Sequence, residues 1–351
     1  MPRSIHNPWL NRFACLTALV TFALVGLGGL VTSHEAGMAV PDWPTTYGYN
    51  MFLFPVSQWI GGIFYEHTHR LLASALGFLT IILTVWLWLA ESRRWLRWLG
   101  VIALFAVVLQ GVLGGLRVVL FKAQIGIFHA ALAQSFLALL CLIAMFTGRF
   151  WTELAGRLPR LNDERKLRTL LPFATLLIFS QLVLGATMRH QHAGLAIPDF
   201  PLAYHKLWPA MDSDSVANYN AHRVELDSVN PITGAQIALQ MAHRILAVLI
   251  FGFVVWSMLT TRRQLGAIHP LARLSLLWFV LILAQIALGA FTIWSNKAAD
   301  VATAHVMIGA SCLGLGVLLT AIAFRVLIPI RVSVNTAARS APDIGVVKRT
   351  A

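Results

Sequence analysis

Charge is scarce in this chain. Only 12% of its 351 residues are Asp, Glu, Lys or Arg, against 58% hydrophobic, too few to coat a soluble domain of that size. Acids are scarcest, with 14 Asp and Glu facing 27 Lys and Arg for a net charge of +13. Cysteine is nearly absent. Cys15, Cys141 and Cys312 each fall inside an apolar run, which excludes a disulfide framework and leaves them as small packing residues. The period-two alternation of a membrane barrel is missing, so membrane strands are excluded too. Residues 1–12 are too short for a transit peptide, and the first apolar run has no clear cleavage site. It reads as a retained helix.

What the chain has is apolar runs of bilayer length. Eight are expected to be transmembrane helices, over 13–33, 67–90, 96–119, 126–147, 170–188, 236–260, 272–294 and 301–327. With the N-terminus in the cytoplasm, the inner segments hold 19 Lys and Arg against 5 acids, and the outer segments 8 against 9. This positive-inside asymmetry fixes the expected orientation, with both termini cytoplasmic. It also accounts for the basic balance without nucleic acid, since no basic soluble domain exists.

The chain repeats itself. Ala36-Gly37-Met38-Ala39-Val40-Pro41-Asp42-Trp43-Pro44 returns as Ala193-Gly194-Leu195-Ala196-Ile197-Pro198-Asp199-Phe200-Pro201. Gln110 with Leu113-Gly114-Gly115 returns as Gln285 with Leu288-Gly289-Ala290, and Leu27-Gly28-Gly29 as Leu184-Gly185-Ala186. Equivalents lie four helices apart, so the repeat is parallel. The expected fold is all-α, two parallel-repeated four-helix bundles. Residues 1–150 form the first bundle, 151–168 a cytoplasmic linker, 169–328 the second bundle and 329–351 a basic cytoplasmic tail. Small residues in the Leu-Gly-Gly and Leu-Gly-Ala turns allow close approach of a backbone or a flat ligand, or serve close helix packing alone. Two long outer loops, about 34–65 and 189–235, carry the repeated Pro-Asp-aromatic-Pro, as a lid over each bundle or as part of the interfacial aromatic belt.

Four histidines recur at matching places. Thr68-His69-Arg70-Leu71-Leu72-Ala73 matches Ala242-His243-Arg244-Ile245-Leu246-Ala247, and His129 matches His305. All four lie within about two turns of the outer boundary. An ionisable residue in lipid points to function. Two facing helices with one His each can give two axial nitrogens to one haem iron, and a bundle core suits the planar ring. Zinc fits less well, because no Cys or acidic cluster joins these pairs. Arg70 and Arg244 follow the ligand histidines on the side where positive charge is disfavoured. Each either meets a haem propionate or snorkels to the interface. His67 faces away from His69 and is a second choice as ligand. His190, His192, His205 and His222 are outer-loop residues. The halves differ at one place: Glu66 precedes His69 by three residues, where Gln240 precedes His243. A carboxylic acid can move protons and an amide only hydrogen-bonds, unless Glu66 is simply paired with an arginine.

At these residues the chain resembles the heme A synthase family, membrane enzymes that oxidise heme O to heme A. Glu66-His67-Thr68-His69-Arg70 looks like its Glu-x-x-His-Arg signature, and His129, His243 and His305 match its other ligand positions. Ala36-Gly37 through Trp43-Pro44 resembles its first outer loop. The resemblance covers nearly all eight helices. It implies a substrate heme O on His69 and His129 with Glu66 as the catalytic residue, and a permanent heme b on His243 and His305. A ring methyl would become a formyl group through successive hydroxylations and collapse of a gem-diol, with an unidentified electron donor. A bacterial inner membrane is the implied location. Heme O synthase, cytochrome oxidase assembly factors and a second copy of the chain are candidate partners. Val40 and Ile197 stand where some members carry loop cysteines, so this chain looks like the cysteine-lacking subgroup. A di-heme b-type electron-transfer cytochrome and a heme carrier or transporter are the competing readings of the same histidines.

Overall fold

The computed structural model describes residues 7–122, 124–157, 165–222 and 231–326. The expected basic tail, the middle of the expected linker and the last residue of the eighth run lie outside them. The helices run in chain order as α1 Pro8–Ser33, α2 Gly61–Ala90, α3 Arg94–Val119, α4 Ile125–Thr147, α5 Arg149–Arg157, α6 Arg165–His190, α7 Ser213–Ala221, α8 Gly234–Leu265, α9 Pro270–Trp294 and α10 Ala299–Val326. Eight are long and apolar enough to cross a membrane; α5 and α7 are not. Among the described residues the only strand-like pairings are the isolated bridges Thr46–Tyr49 and Ala203–Lys206.

Each span matches an expected run. The largest shift is at α2, which starts six residues before the expected 67–90. Gly61 to Glu66 dilute the apolar signal there, yet Gly62 packs closely under Ala39 and Ala36 of the preceding loop. Helix starts carry local signals. Asn7 accepts from the amides of Trp9 and Leu10 ahead of Pro8, and Thr233 forms a capping box with Gln236 ahead of α8. Buried hydroxyls such as Thr17, Thr21, Thr80 and Thr84 bond carbonyls one turn back, which satisfies them without water. Phe78, Phe105 and Val248 point outward unburied, as lipid-facing side chains do.

Helices α1 to α4 pack as a ring, each on its neighbours, with α4 closing on α1; α6, α8, α9 and α10 form a second ring closed by α10 on α6. The rings meet where α1 and α4 touch α10 and α4 touches α6. Small residues permit that seam. A methyl at Gly29 would lie 2.9 Å from Thr303 Cγ2, and one at Gly26 2.8 Å from Met307 Sδ.

The two long loops share one end of the molecule and one construction. After α1, Val40 N–H donates to Glu66 Oε2 at 2.9 Å. After α6, Ile197 N–H donates to Gln240 Oε1 at 2.7 Å. The Tyr47 and Tyr204 hydroxyls donate to the carbonyls of Ala39 and Ala196. Asp42 accepts from the amides of Tyr47 and Gly48, and Asp199 from those of Tyr204 and His205. Burial alone would raise the Asp42 carboxyl, but the Gly48 amide, the Thr45 hydroxyl and the Tyr47 amide hold it below the usual carboxylate range.

Candidate functional site: two buried histidine pairs

Each of the four singled-out histidines lies on a helix beside a glycine of the preceding span. A methyl added at Gly28 of α1 would stand 3.1 Å from His69 Cε1, and one at Gly114 of α3 3.4 Å from His129 Cε1. The same test gives 3.3 Å from Gly185 of α6 to His243 and 3.2 Å from Gly289 of α9 to His305. The expected Leu-Gly segments are therefore interior to helices, not turns. What approaches them closely is the imidazole ring itself, seated where a side chain is missing.

His69 and His129 are close enough to feel one another's charge, as are His243 and His305. In all four rings Nδ1 is buried and without a hydrogen-bond partner. An orphaned buried polar atom is costly and needs an explanation. Four of them, in two pairs, at matching places, fit a planar group that accepts two ring nitrogens and apolar walls. No group of three or more His, Cys, Asp or Glu that could enclose a metal exists among the described residues, so a zinc-type cage has no support there. The second pair has its own glutamine: Gln285 Nε2 lies 3.4 Å from His305 Nε2. Gln181 Nε2 donates to the His243 carbonyl at 2.9 Å and ties α6 to α8 at that ring.

Glu66 is buried, 4% exposed, and so is Gln240 at 2%. Both carboxylate oxygens of Glu66 are engaged, one with the Val40 amide and one with Arg70 Nη2 at 2.7 Å. Gln240 accepts from Ile197 N–H and donates Nε2 to the carbonyls of Gly194 and Ile197 at 3.2 and 3.3 Å. The two residues do the same mechanical job of holding a loop over a histidine pair. Only the first brings charge.

Arg70 donates to the carbonyls of Asp42, Thr45 and Val40 besides Glu66. Its four Nη hydrogens are committed, three to the loop and one to Glu66, so a propionate there must displace an existing acceptor. Arg244 bonds the carbonyls of Leu202 and Asp199 and lies over the Phe200 ring, while its Nε is buried and free. His67 is fully buried against the first loop. Its Nδ1 is 3.2 Å from the Thr46 hydroxyl, with Phe54 and Trp59 around the ring. His190 packs its ring against Gly126 at the start of α4. The His205 amide donates to the Asp199 carboxylate, and the His222 ring lies 2.9 Å from the Asn218 carbonyl.

Sequence reasoning missed Arg117 of α3 and Arg189 of α6. Arg117 lies within charge range of Glu66, His69, His129 and Arg189. Arg189 Nη2 donates to Gly29 O at 2.6 Å and Ser33 Oγ at 2.5 Å, across the seam. The available signal was the repeat, in which Thr292 answers to Arg117 and Thr32 to Arg189.

A bundle of eight membrane-length helices with two matching histidine pairs defines a multi-pass membrane protein. A family model described as COX15-CtaA, cytochrome oxidase assembly protein, matches residues 11–317, and the chain belongs to that family. Among similar proteins is a heme A synthase of Halalkalibacterium halodurans, 26% identical over 85% of this chain and 92% of its own. Heme A synthases of Agrobacterium fabrum and Rhizorhabdus wittichii are each 28% identical, covering 86% and 87% of this chain and 86% and 89% of theirs.

Proposed function

We propose that this protein is an oxidoreductase that converts heme O to heme A, with the substrate on the first histidine pair. The observation that carries this reading is the contrast of two otherwise matching seats, one with a buried carboxylate three residues before its histidine and one with an amide. The similarity to heme A synthases over most of the chain supports the same reading. In this assignment residues 1–150 supply the substrate bundle and 169–328 the cofactor bundle. His69 and His129 hold the substrate's iron, and His243 and His305 hold a heme b. A bound heme b supplies one-electron transfer. Arg244, with its unpartnered buried Nε, is the contact for a propionate of that heme.

The chain's own residues then do three things. The glycine seats hold each imidazole with its Cε1 edge against the glycine, which orients the ring before ligand arrives. The loop held by Glu66 and Arg70 covers the first pair and limits water. Glu66 accepts the proton released as the substrate methyl is oxidised, or balances positive charge forming near it; Arg70 keeps it positioned. The chain sits in a bacterial inner membrane with both termini cytoplasmic and both seats toward the outer face, as its Lys and Arg distribution favours. An electron partner and neighbours in oxidase assembly complete the setting.

The test is co-expression with a heme O producer, followed by chromatography of extracted pigments. Heme A should accumulate with the native chain and be absent with His69→Ala. Unchanged heme O with a native, pigment-bearing chain would instead assign it to electron transfer without substrate chemistry.

A further inference from the structure

At the long-loop end, positive charge collects at the seam with too little to balance it. Arg117 projects from the last turn of α3. A methyl at Gly37 would stand 2.6 Å from its Nη2 and 3.1 Å from its Cζ, so the bare glycine of the first loop leaves room for the guanidinium. Its Nε is buried and unpartnered, and among the described residues Arg117 makes no hydrogen bond or ion pair. Arg189 and His190 lie within range of its charge, as do His69 and His129. Among the described residues the one acid in range is Glu66, and both oxygens of that carboxylate are already taken by Arg70 and Val40. Arg189 is anchored across the seam on α1 and keeps its other nitrogens for a further acceptor.

Partly buried guanidinium groups with little counter-charge beside them are unfavourable at a loop-covered membrane boundary, so the cluster calls for an anion. Guanidinium pairs match planar carboxylates. A porphyrin seated between His69 and His129 carries two carboxylates on one edge. The matching place in the second half holds Thr292, so Arg117 serves the first seat, while Arg189 sits at the seam within charge range of both Arg117 and His305.

We propose that Arg117, backed by Arg189, is the carboxylate clamp of the first site, gripping a propionate of the porphyrin bound between His69 and His129. This rests on the reading of that pair as a heme site. It also explains how the site binds propionate while Arg70 remains committed to the loop.

The full-length protein in detergent is titrated with iron protoporphyrin IX and with its dimethyl ester, which keeps the ring and removes the charge. The component missing in His69→Ala marks the first site. There the free acid should bind about tenfold tighter than the ester. Arg117→Gln should weaken the acid about tenfold and leave the ester unchanged, and Arg117→Lys should keep part of the preference. A preference that survives Arg117→Gln, or equal losses for acid and ester, overturns the clamp while leaving the heme site standing. Absence of any His69-dependent binding in the native chain removes the heme site and the clamp together. Dioctanoyl phosphatidylglycerol should not compete. Competition abolished by Arg117→Gln, without an acid-over-ester preference, would give the cluster to lipid phosphate and overturn the proposal.

Discussion

The two loop-covered histidine pairs of this molecule are built alike down to single hydrogen bonds, yet a carboxylate stands before the first and an amide before the second. Glu66 and Gln240 accept from equivalent amides, and Arg70 and Arg244 bond equivalent loop carbonyls. The scaffold therefore does not need a carboxylate to hold the loop down, because an amide does it in the second half. Burying an acid where an amide suffices costs desolvation. A carboxylate in one half only is what the proposed proton-handling role of Glu66 requires.

Glu66→Gln is the sharpest way to break that contrast. Glutamine keeps the acceptor for Val40, so the loop should stay seated and pigment content should be normal. Heme A formation should nonetheless fall by about a hundredfold or more, as loss of a proton-handling group does. A native rate of heme O conversion would exclude the role. The reciprocal Gln240→Glu should add no activity.

The arginines separate the halves next. Arg70→Ala strips three carbonyls and strands a buried carboxylate, which should cost about 3–5 kcal/mol. Arg244→Ala removes a charge near Asp199, whose carboxylate keeps the Tyr204 and His205 amides, and should cost about 1–3 kcal/mol. Thermal unfolding followed by pigment absorbance compares them, and equal losses would mean that the Glu66–Arg70 pair adds nothing to loop seating.

Gly28→Ala and Gly185→Ala push on one imidazole each, at 3.1 and 3.3 Å. Each should lower pigment occupancy several-fold at its own seat and leave the other filled. Loss at both seats from either change would show that the rings do not act independently.

The smallest effect concerns the loop turns. Gly48 and His205 hold matching left-handed positions, φ +79° and +61°, and only glycine does so without strain. His205→Gly should stabilise by about 1 kcal/mol and Gly48→His should destabilise by a similar amount. Urea or thermal titration reads both, and a destabilising His205→Gly would give the imidazole a contact of its own.

Much of this comparison was legible in the sequence. Hydropathy marks the eight spans because lipid forces each to be long and apolar. The duplication aligned four histidines and exposed the Glu66/Gln240 difference. What the sequence withheld depended on contacts between distant segments. That Gly28, Gly114, Gly185 and Gly289 seat imidazoles is a fact about neighbouring helices, invisible in a Leu-Gly pattern that also serves ordinary packing. Arg70 looked free for a ligand because nothing in the chain order shows that carbonyls 25 to 30 residues earlier absorb its donors. Arg117 and Arg189 are 72 positions apart, and only the meeting of the two rings makes them a cluster.

Pairing is the claim beneath all the rest, and visible absorption of the purified protein tests it most directly. Alanine is placed at His69, His129, His243 and His305 in turn, and the low-spin haem bands are resolved in each variant. His69→Ala and His129→Ala should remove one and the same component, and His243→Ala and His305→Ala the other. Four variants that each remove a different share, or a His69→Ala protein whose bands match those of the native chain, would contradict two irons held by two histidine pairs.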